Sequence, residues 1–226
     1  MNPKILITGG SGFLGTALLK HSSFKDALSI SRTQPQQAKN FLPITLDAHT
    51  DYSHILSGIE IIVHVAARAH VMDEMSEDPM QEYRNINTLA TLNLGKQAAF
   101  KGVKRFIFVS SIKVLGENTE PGSPLTADCS INPQDPYSVS KAEAEIGLKL
   151  IGETDGMEVV IIRPPLVYGQ GVKGNFASLL KLASLPIPLP IGSIQNKRSL
   201  VSVENLVDLI VTCLDHPNAA NQTFLV

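Results

Sequence analysis

The sequence predicts an α/β protein built on a doubly wound parallel sheet, and three observations predict it. Short β-branched runs alternate with longer helical patterns along nearly the whole chain. The runs are almost continuously apolar, as at 59–63 and 105–109, which suits parallel strands covered on both faces. The first run, Ile5-Leu6-Ile7-Thr8, passes straight into glycines at positions 9, 12 and 15 and then into an apolar helical pattern through Phe13, Leu14, Ala17, Leu18 and Leu19. A sheet of this kind, the Rossmann type, takes its ligands at the carboxyl ends of the strands.

Taken in order, strands are expected at 4–8, 27–31, 43–46, 60–65, 104–110, 157–163 and 222–226, and helices at 13–21, 51–57, 78–101, 136–153, 174–184 and 203–215. Strand, glycine turn and helix in that order present a helix N-terminus to an anion, because the first N–H groups and the positive end of the helix dipole point the same way. Gly9 allows the sharp turn, Gly12 lets the backbone approach a diphosphate, and Gly15 lets the helix pack close to the sheet. Residues 1–167 are read as a dinucleotide-binding domain. From Tyr168 to Arg198 the composition shifts to a glycine-rich opening and the run Leu185-Pro186-Ile187-Pro188-Leu189-Pro190, an excursion read as a small substrate-facing lobe. Residues 199–226 return to the sheet, and the halt directly after a strand suggests that a C-terminal part of the lobe is missing.

Composition narrows the partners. The 226 residues carry a net charge of −2 and no Lys/Arg-rich block, which argues against nucleic acid and anionic membrane. The two cysteines, Cys129 and Cys213, are far apart and near no His/Cys cluster, so a reducing compartment and no metal site are expected. No secretory leader is visible and apolar runs such as 59–67 are too short to span a bilayer, so a cytoplasmic protein without membrane insertion is expected.

Two further stretches carry chemistry. In Tyr137-Ser138-Val139-Ser140-Lys141 the tyrosine and lysine lie four apart on one helix face, with Pro136 suited to the helix start. A free tyrosine, with a pKa of about 10, is a poor base, and a neighbouring ammonium would favour its phenolate. Such a tyrosine can take or give a hydroxyl proton while hydride moves to or from a nicotinamide. Phe108-Val109-Ser110-Ser111 ends a strand in hydroxyl residues, and Ser111 is suited to hold a substrate oxygen towards Tyr137.

With these residues the chain resembles the extended short-chain dehydrogenases/reductases, in the branch of NAD-dependent nucleotide-sugar epimerases and dehydratases. Residues Thr8 to Gly15 match the family's cofactor turn, and His64-Val65-Ala66-Ala67 resembles the strand end along the cofactor. Asn87, Thr91, Asn93 and Leu94 resemble a family helix, and Arg163-Pro164-Pro165-Leu166-Val167-Tyr168-Gly169 resembles a family strand end. The resemblance implies a catalytic trio of Ser111, Tyr137 and Lys141, with Lys141 lowering the tyrosine pKa and binding the nicotinamide ribose. It implies cofactor contacts from Gly9, Gly12, Phe13, Leu14, Gly15, Ser31, Arg32, Asp47, Ala66 and Asn87, and substrate contacts from Ser111, Lys113, Asn175 and Arg198. It also implies a homodimer through helices 78–101 and 136–153, although the face of Ala90, Leu94, Ala98 and Lys101 serves equally as core packing.

Departures from the family pattern matter. Ile112-Lys113 stands where dehydratases carry Asp-Glu, so a 4,6-dehydratase is not expected. Ser31 and Arg32 end the second strand where NAD binders carry an acid, which favours NADP over NAD and tilts the reading towards a 4-ketoreductase over a 4-epimerase. The stretch containing Arg68, His70 and Met72 resembles a subgroup acting on UDP-N-acetylhexosamines in surface polysaccharide synthesis, with a UDP-4-keto-6-deoxy sugar as the corresponding ketoreductase substrate. Two other readings stay open: a non-catalytic dinucleotide-binding sensor or scaffold, and a reductase of small apolar carbonyl compounds.

Overall fold

The computed structural model describes residues 4–69, 78–120, 122–172, 175–185 and 196–226. Among them the elements follow as β1 (Ile5–Thr8), α1 (Phe13–Lys20), β2 (Leu28–Ser31), β3 (Asn40–Pro43), β4 (Ile61–His64), α2 (Pro79–Tyr83), a π-helical segment (Arg84–Leu89), α3 (Ala90–Phe100), β5 (Arg105–Val109), α4 (Pro136–Asp155), β6 (Glu158–Arg163), β7 (Leu166–Tyr168), α5 (Asn175–Ala183), β8 (Leu200–Ser202), α6 (Val203–Thr212) and β9 (Thr223–Leu225).

Seven strands form one parallel sheet in the order β3-β2-β1-β4-β5-β6-β9. The direction of winding reverses between β1 and β4, so the crevice at the carboxyl ends of these two strands is where such a sheet takes a ligand. Alternate side chains face opposite layers. Leu6, Ile30, Ile62, Phe106, Phe108 and Ile161 pack with α3 and α4 residues such as Leu94, Ala98, Ala144 and Leu148. Ile7, Val63, Ile107, Val109, Val160 and Ile162 pack with Leu18 of α1 and Leu206 and Ile210 of α6. Burial on both faces is why the strands read as unbroken apolar runs. Helices α3 and α4 approach closely at glycines: a Cβ on Gly95 would lie 2.7 Å from Leu148, and one on Gly147 2.5 Å from Leu92.

Four expectations need correction. The helix expected at 51–57 is a set of turns, in which Tyr52, Ile55 and Leu56 are buried anchors and Gly58 ends the segment at φ +81°. Too few residues lie there to repay helix nucleation. The third strand runs Asn40–Pro43 rather than 43–46, and its proline is tolerated because β3 is an edge. The helix expected at 78–101 is interrupted by the π-helical segment, which adds a residue to one turn. Strands β7 and β8, unforeseen, pair with each other in a separate two-stranded parallel sheet. The proline-rich stretch 186–190 lies outside the described residues, as do His70 and Met72. The face of Ala90, Leu94 and Ala98 is core, fully buried, with Lys101 beyond it exposed.

Candidate active site

The glycine turn after β1 is bent and uncapped. Gly9 sits at φ +71°, and a Cβ there would lie 2.7 Å from the Ala66 backbone, so the loops after β1 and β4 touch across the winding switch. Gly12 is the N-cap of α1 with extended backbone and no side-chain cap, and the first turn holds no acid. The N–H groups opening α1, at Phe13 and Leu14, therefore lack the usual side-chain acceptor. A Cβ on Gly12 would meet only the Gly9 carbonyl oxygen, at 3.3 Å, so its outer side is open. Gly15 differs from expectation: a Cβ there would strike the Gly9 carbonyl oxygen at 2.2 Å, so it lets the helix close on the turn rather than on the sheet. An open cradle of N–H groups with no acid nearby fits a diphosphate.

The neighbouring strand ends surround this cradle. Ser31 donates its hydroxyl to the Thr33 carbonyl at 2.7 Å, and Arg32 beside it is exposed at the end of β2. Asp47 is exposed in the loop after β3; its carboxylate accepts from the His49 N–H at 2.8 Å, and its carbonyl accepts from Asn93 at 3.1 Å. The Ala66 N–H donates to Thr8 Oγ1 at 3.2 Å. His64 is buried between Thr8 and Thr91, each 2.9 Å from a ring nitrogen, and stacks on Phe108. Burial, and then the nearby Lys141 ammonium, push its pKa down to about 3, so His64 is a neutral strut. Among the described residues no cluster of His, Cys, Asp or Glu is arranged to hold a metal ion.

The structure brings Ser111 and Tyr137 together. Ser111 caps a short 3-10 turn, Ile112–Leu115, at the end of β5, its Oγ accepting from the Lys113 N–H at 3.2 Å. Tyr137 lies in the first turn of α4, whose N-cap Asp135 accepts from Ser138 N at 2.6 Å in a capping box. Tyr137 is partly open to solvent, yet burial of its hydroxyl is the chief influence and pushes the pKa up to about 12; the Ser111 hydroxyl, acting as hydrogen-bond partner, pulls the other way. Asp135 and Tyr83 also disfavour the phenolate, and the Tyr83 ring stands edge-on to Tyr137 with centroids 6.2 Å apart. Lys141, one turn along α4, is buried with its ammonium 4.1 Å above the Phe108 ring. Burial lowers its pKa to about 7 against the opposing pull of Glu145.

The remaining candidates fall out unevenly. Asn87 is buried in the π-helical segment and acts as a clasp: its amide donates to Ser140 Oγ at 3.0 Å and to the Arg68 carbonyl at 3.1 Å, and it accepts from Arg68 N at 2.8 Å. It ties the loop after β4 to the Tyr137 helix. Lys113, expected on the substrate, is paired with Asp135 and, at 3.0 Å, with Glu117. Asn175 opens α5 and its side chain lies outside the described residues. Arg198 is exposed two residues before β8 and makes no hydrogen bond or ion pair with Ser111 or Tyr137. Arg163 turns inward: it binds Glu145 at 2.6 Å, both side chains almost wholly buried, and donates to the Ala127 carbonyl. The sequence reading missed Asp135, although Asp before Pro with Ser three residues after the Asp is an N-cap signal. It also missed Tyr83, whose place beside Tyr137 is set by the helix break and has no local signature.

The model of the "NAD dependent epimerase/dehydratase family" matches residues 5–226. A Vibrio cholerae protein described as UDP-glucose 4-epimerase is 52% identical over 233 residues, covering 100% of this chain and 71% of that protein. An Escherichia coli O157:H7 protein, described as an N-acetyl-alpha-D-glucosaminyl-diphospho-ditrans,octacis-undecaprenol 4-epimerase, is 30% identical, covering 93% of this chain and 62% of its own length. Among solved structures, a Bacillus cereus UDP-glucuronic acid 4-epimerase in complex with NAD superimposes with a TM-score of 0.83 at 22% identity, over 98% of this chain and 77% of the other. With its turn, strand ends and Tyr/Lys helix in the arrangement described, this chain belongs to the NAD dependent epimerase/dehydratase family and is an NAD(P)-dependent enzyme of the extended short-chain dehydrogenase/reductase type.

Proposed function

We propose that this protein moves hydride at C4 of a nucleotide-linked sugar, with Tyr137 as acid/base, Ser111 as the hydroxyl that holds the reacting oxygen and Lys141 on the nicotinamide ribose. The observation that carries the reading is the meeting of Ser111 with Tyr137 at the carboxyl end of β5, beside an uncapped helix N-terminus. A bound nicotinamide supplies the hydride acceptor and donor. Tyr137, a neutral phenol in this setting, is ready as an acid; as a base it needs positive charge brought beside it. Ser111 orients the substrate oxygen and Asn87 holds the Tyr137 helix against the loop after β4.

A 4-epimerase on a UDP-sugar is the first reading, supported by the name of the 52% identical relative. A 4-ketoreductase using NADPH is the second, favoured by exposed Arg32 and the lack of an acid at the end of β2. A Pseudomonas aeruginosa protein that is 27% identical over 97% of this chain is described as a GDP-6-deoxy-D-mannose reductase. Residues 168–198 serve as the substrate lobe in this reading, with exposed Arg198 a contact for the sugar nucleotide. The exposed Leu89, Phe100, Ile146 and Leu150 on the α3/α4 side are the surface for a homodimer, in place of the buried face considered from sequence. The deciding experiment mixes purified protein with UDP-glucose, UDP-galactose, their N-acetyl counterparts and a UDP-4-keto-6-deoxy sugar, with each cofactor. Interconversion of C4 epimers without net nicotinamide consumption supports the epimerase, stoichiometric NADPH oxidation supports the reductase, and neither leaves the sugar reading without support. Arg32→Asp is expected to shift preference towards NAD about tenfold; an unchanged ratio removes the 2′-phosphate argument.

A further inference from the structure

Lys113 occupies a position where the family's dehydratases hold a carboxylic acid, and here the charge is inverted. Its ammonium does not project free. It pairs with the Asp135 carboxylate and, one turn on, with Glu117. Asp135 serves two elements at once: one oxygen receives Lys113, the other accepts from Ser138 N and so caps α4 two residues before Tyr137. Lys113 itself belongs to the 3-10 turn capped by Ser111 Oγ. The two groups proposed for catalysis lie 26 positions apart in sequence on separate elements, and the Lys113/Asp135 pair joins those elements by their side chains. Backbone bonds from Asn132 N to the Val114 carbonyl and from Ile112 N to the Pro164 carbonyl hold the same turn from its other sides.

We propose that Lys113 is a positioning residue that works through Asp135: the pair sets Ser111 against the first turn of the Tyr137 helix and neutralises the carboxylate standing beside the phenol, so that Lys113 does not bind the substrate. This rests on Tyr137 being the acid/base. Charged and titratable groups face Tyr137 from several sides: Asp135 on the cap of its own helix, Lys141 one turn further, Tyr83 from α2 with Arg68 stacked 5.5 Å above its ring, and Lys113 with Glu117 from the turn after β5. Asp135 disfavours the phenolate, so removing its counter-ion strengthens that effect. Burial works against the Lys113 charge, but the bonds to Asp135 and Glu117 outweigh it and hold its pKa above the ordinary value, so the ammonium persists across the working range.

The test places 3,5-difluorotyrosine at position 137 of the full chain, where its phenol ionises in an accessible range, and follows its fluorine resonance against pH without substrate. Lys113→Met is expected to raise the apparent pKa by about one unit. Asp135→Asn keeps the helix cap, since Asn caps as well as Asp, and is expected to lower the pKa by less, because Glu117 stays with Lys113. The double variant is expected to return close to the starting value, and Lys113→Arg to stay there. A titration unmoved in both Lys113→Met and Asp135→Asn overturns the proposal. So does a Lys113→Met enzyme whose KM for UDP-glucose rises while kcat and its pH profile stay put, because that pattern places Lys113 on the substrate. Should Lys113→Met fail to fold, an unmoved titration in Asp135→Asn overturns it alone. The fluorine titration needs no turnover, so absence of activity on every sugar sinks the proposed function and leaves this result readable.

Discussion

The two faces of the sheet use the same strands for opposite purposes. Towards α1 and α6 the central strands present Ile7, Val63, Ile107, Val109, Val160 and Ile162, with Ser29 and Arg105 as buried polar exceptions, Arg105 donating to the Cys213 carbonyl at 2.7 Å. Towards α3 and α4 they begin as apolar, with Leu6, Ile62, Phe106 and Ile161, then turn polar at the carboxyl ends. There Thr8, His64 and Thr91 form a chain, Asn87 clasps Ser140, Lys141 lies over Phe108, and Arg163 meets Glu145. One face stabilises mainly by area; the other spends part of that stability to hold polar groups away from water at the carboxyl ends of the strands. Chemistry is concentrated where the polar face meets the winding switch.

The sharpest way to test that contrast is to remove a group whose only task is chemical. Tyr137→Phe is expected to lower turnover by about a thousandfold or more while dinucleotide binding, followed by titration calorimetry, is retained; near-normal turnover would remove the acid/base. Next comes the buried ion pair. Glu145→Gln leaves Arg163 without its counter-ion and is expected to cost about 3–5 kcal/mol in denaturant unfolding. Ile107→Val, the matching loss on the apolar face, is expected to cost about 1 kcal/mol. Equal losses at the two sites would erase the distinction between the faces.

Proton linkage separates the faces too. His64 has its folded pKa depressed to about 3, below the ordinary value of 6.5. The unfolded chain therefore gains a proton that the folded chain refuses, and stability present above pH 6.5 falls as pH drops towards 3. The expected slope from this group is about 1.4 kcal/mol per pH unit. His64→Asn is expected to remove that component from unfolding curves measured between pH 6.5 and 4. The smallest expected effect has the opposite sign. Lys141 is buried at a cost to its charge, so Lys141→Met is expected to gain about 1 kcal/mol of stability at neutral pH while abolishing turnover. A Met variant that loses stability would show that the ammonium is a net structural asset.

Much of the fold was legible because period-two burial on both faces writes itself into the strands as apolar runs, and each main-sheet strand was expected within three residues of its place. The short pair β7 and β8 was not legible, since three residues carry too little pattern to announce a strand. The proposed site was marked in the sequence by spacing only. Gly9 follows β1, Ser111 follows β5, and Tyr137 and Lys141 lie one turn apart on α4, positions that turn and helix geometry fix locally. The roles of Lys113, Asn87 and Arg163 were read towards ligand or family pattern, whereas their partners Asp135, Ser140 and Glu145 lie 18 to 53 positions away.

Local order along the chain therefore determined the parallel sheet, the uncapped glycine turn and the Tyr/Lys helix, because each depends on residues within a few positions of one another. Only the packed molecule decided which charges are neutralised, that Lys141 rests over an aromatic ring, and that the Tyr137 phenol is pushed up to about 12. Those outcomes depend on burial and on distances between remote elements, and neither quantity is written in any local stretch of sequence.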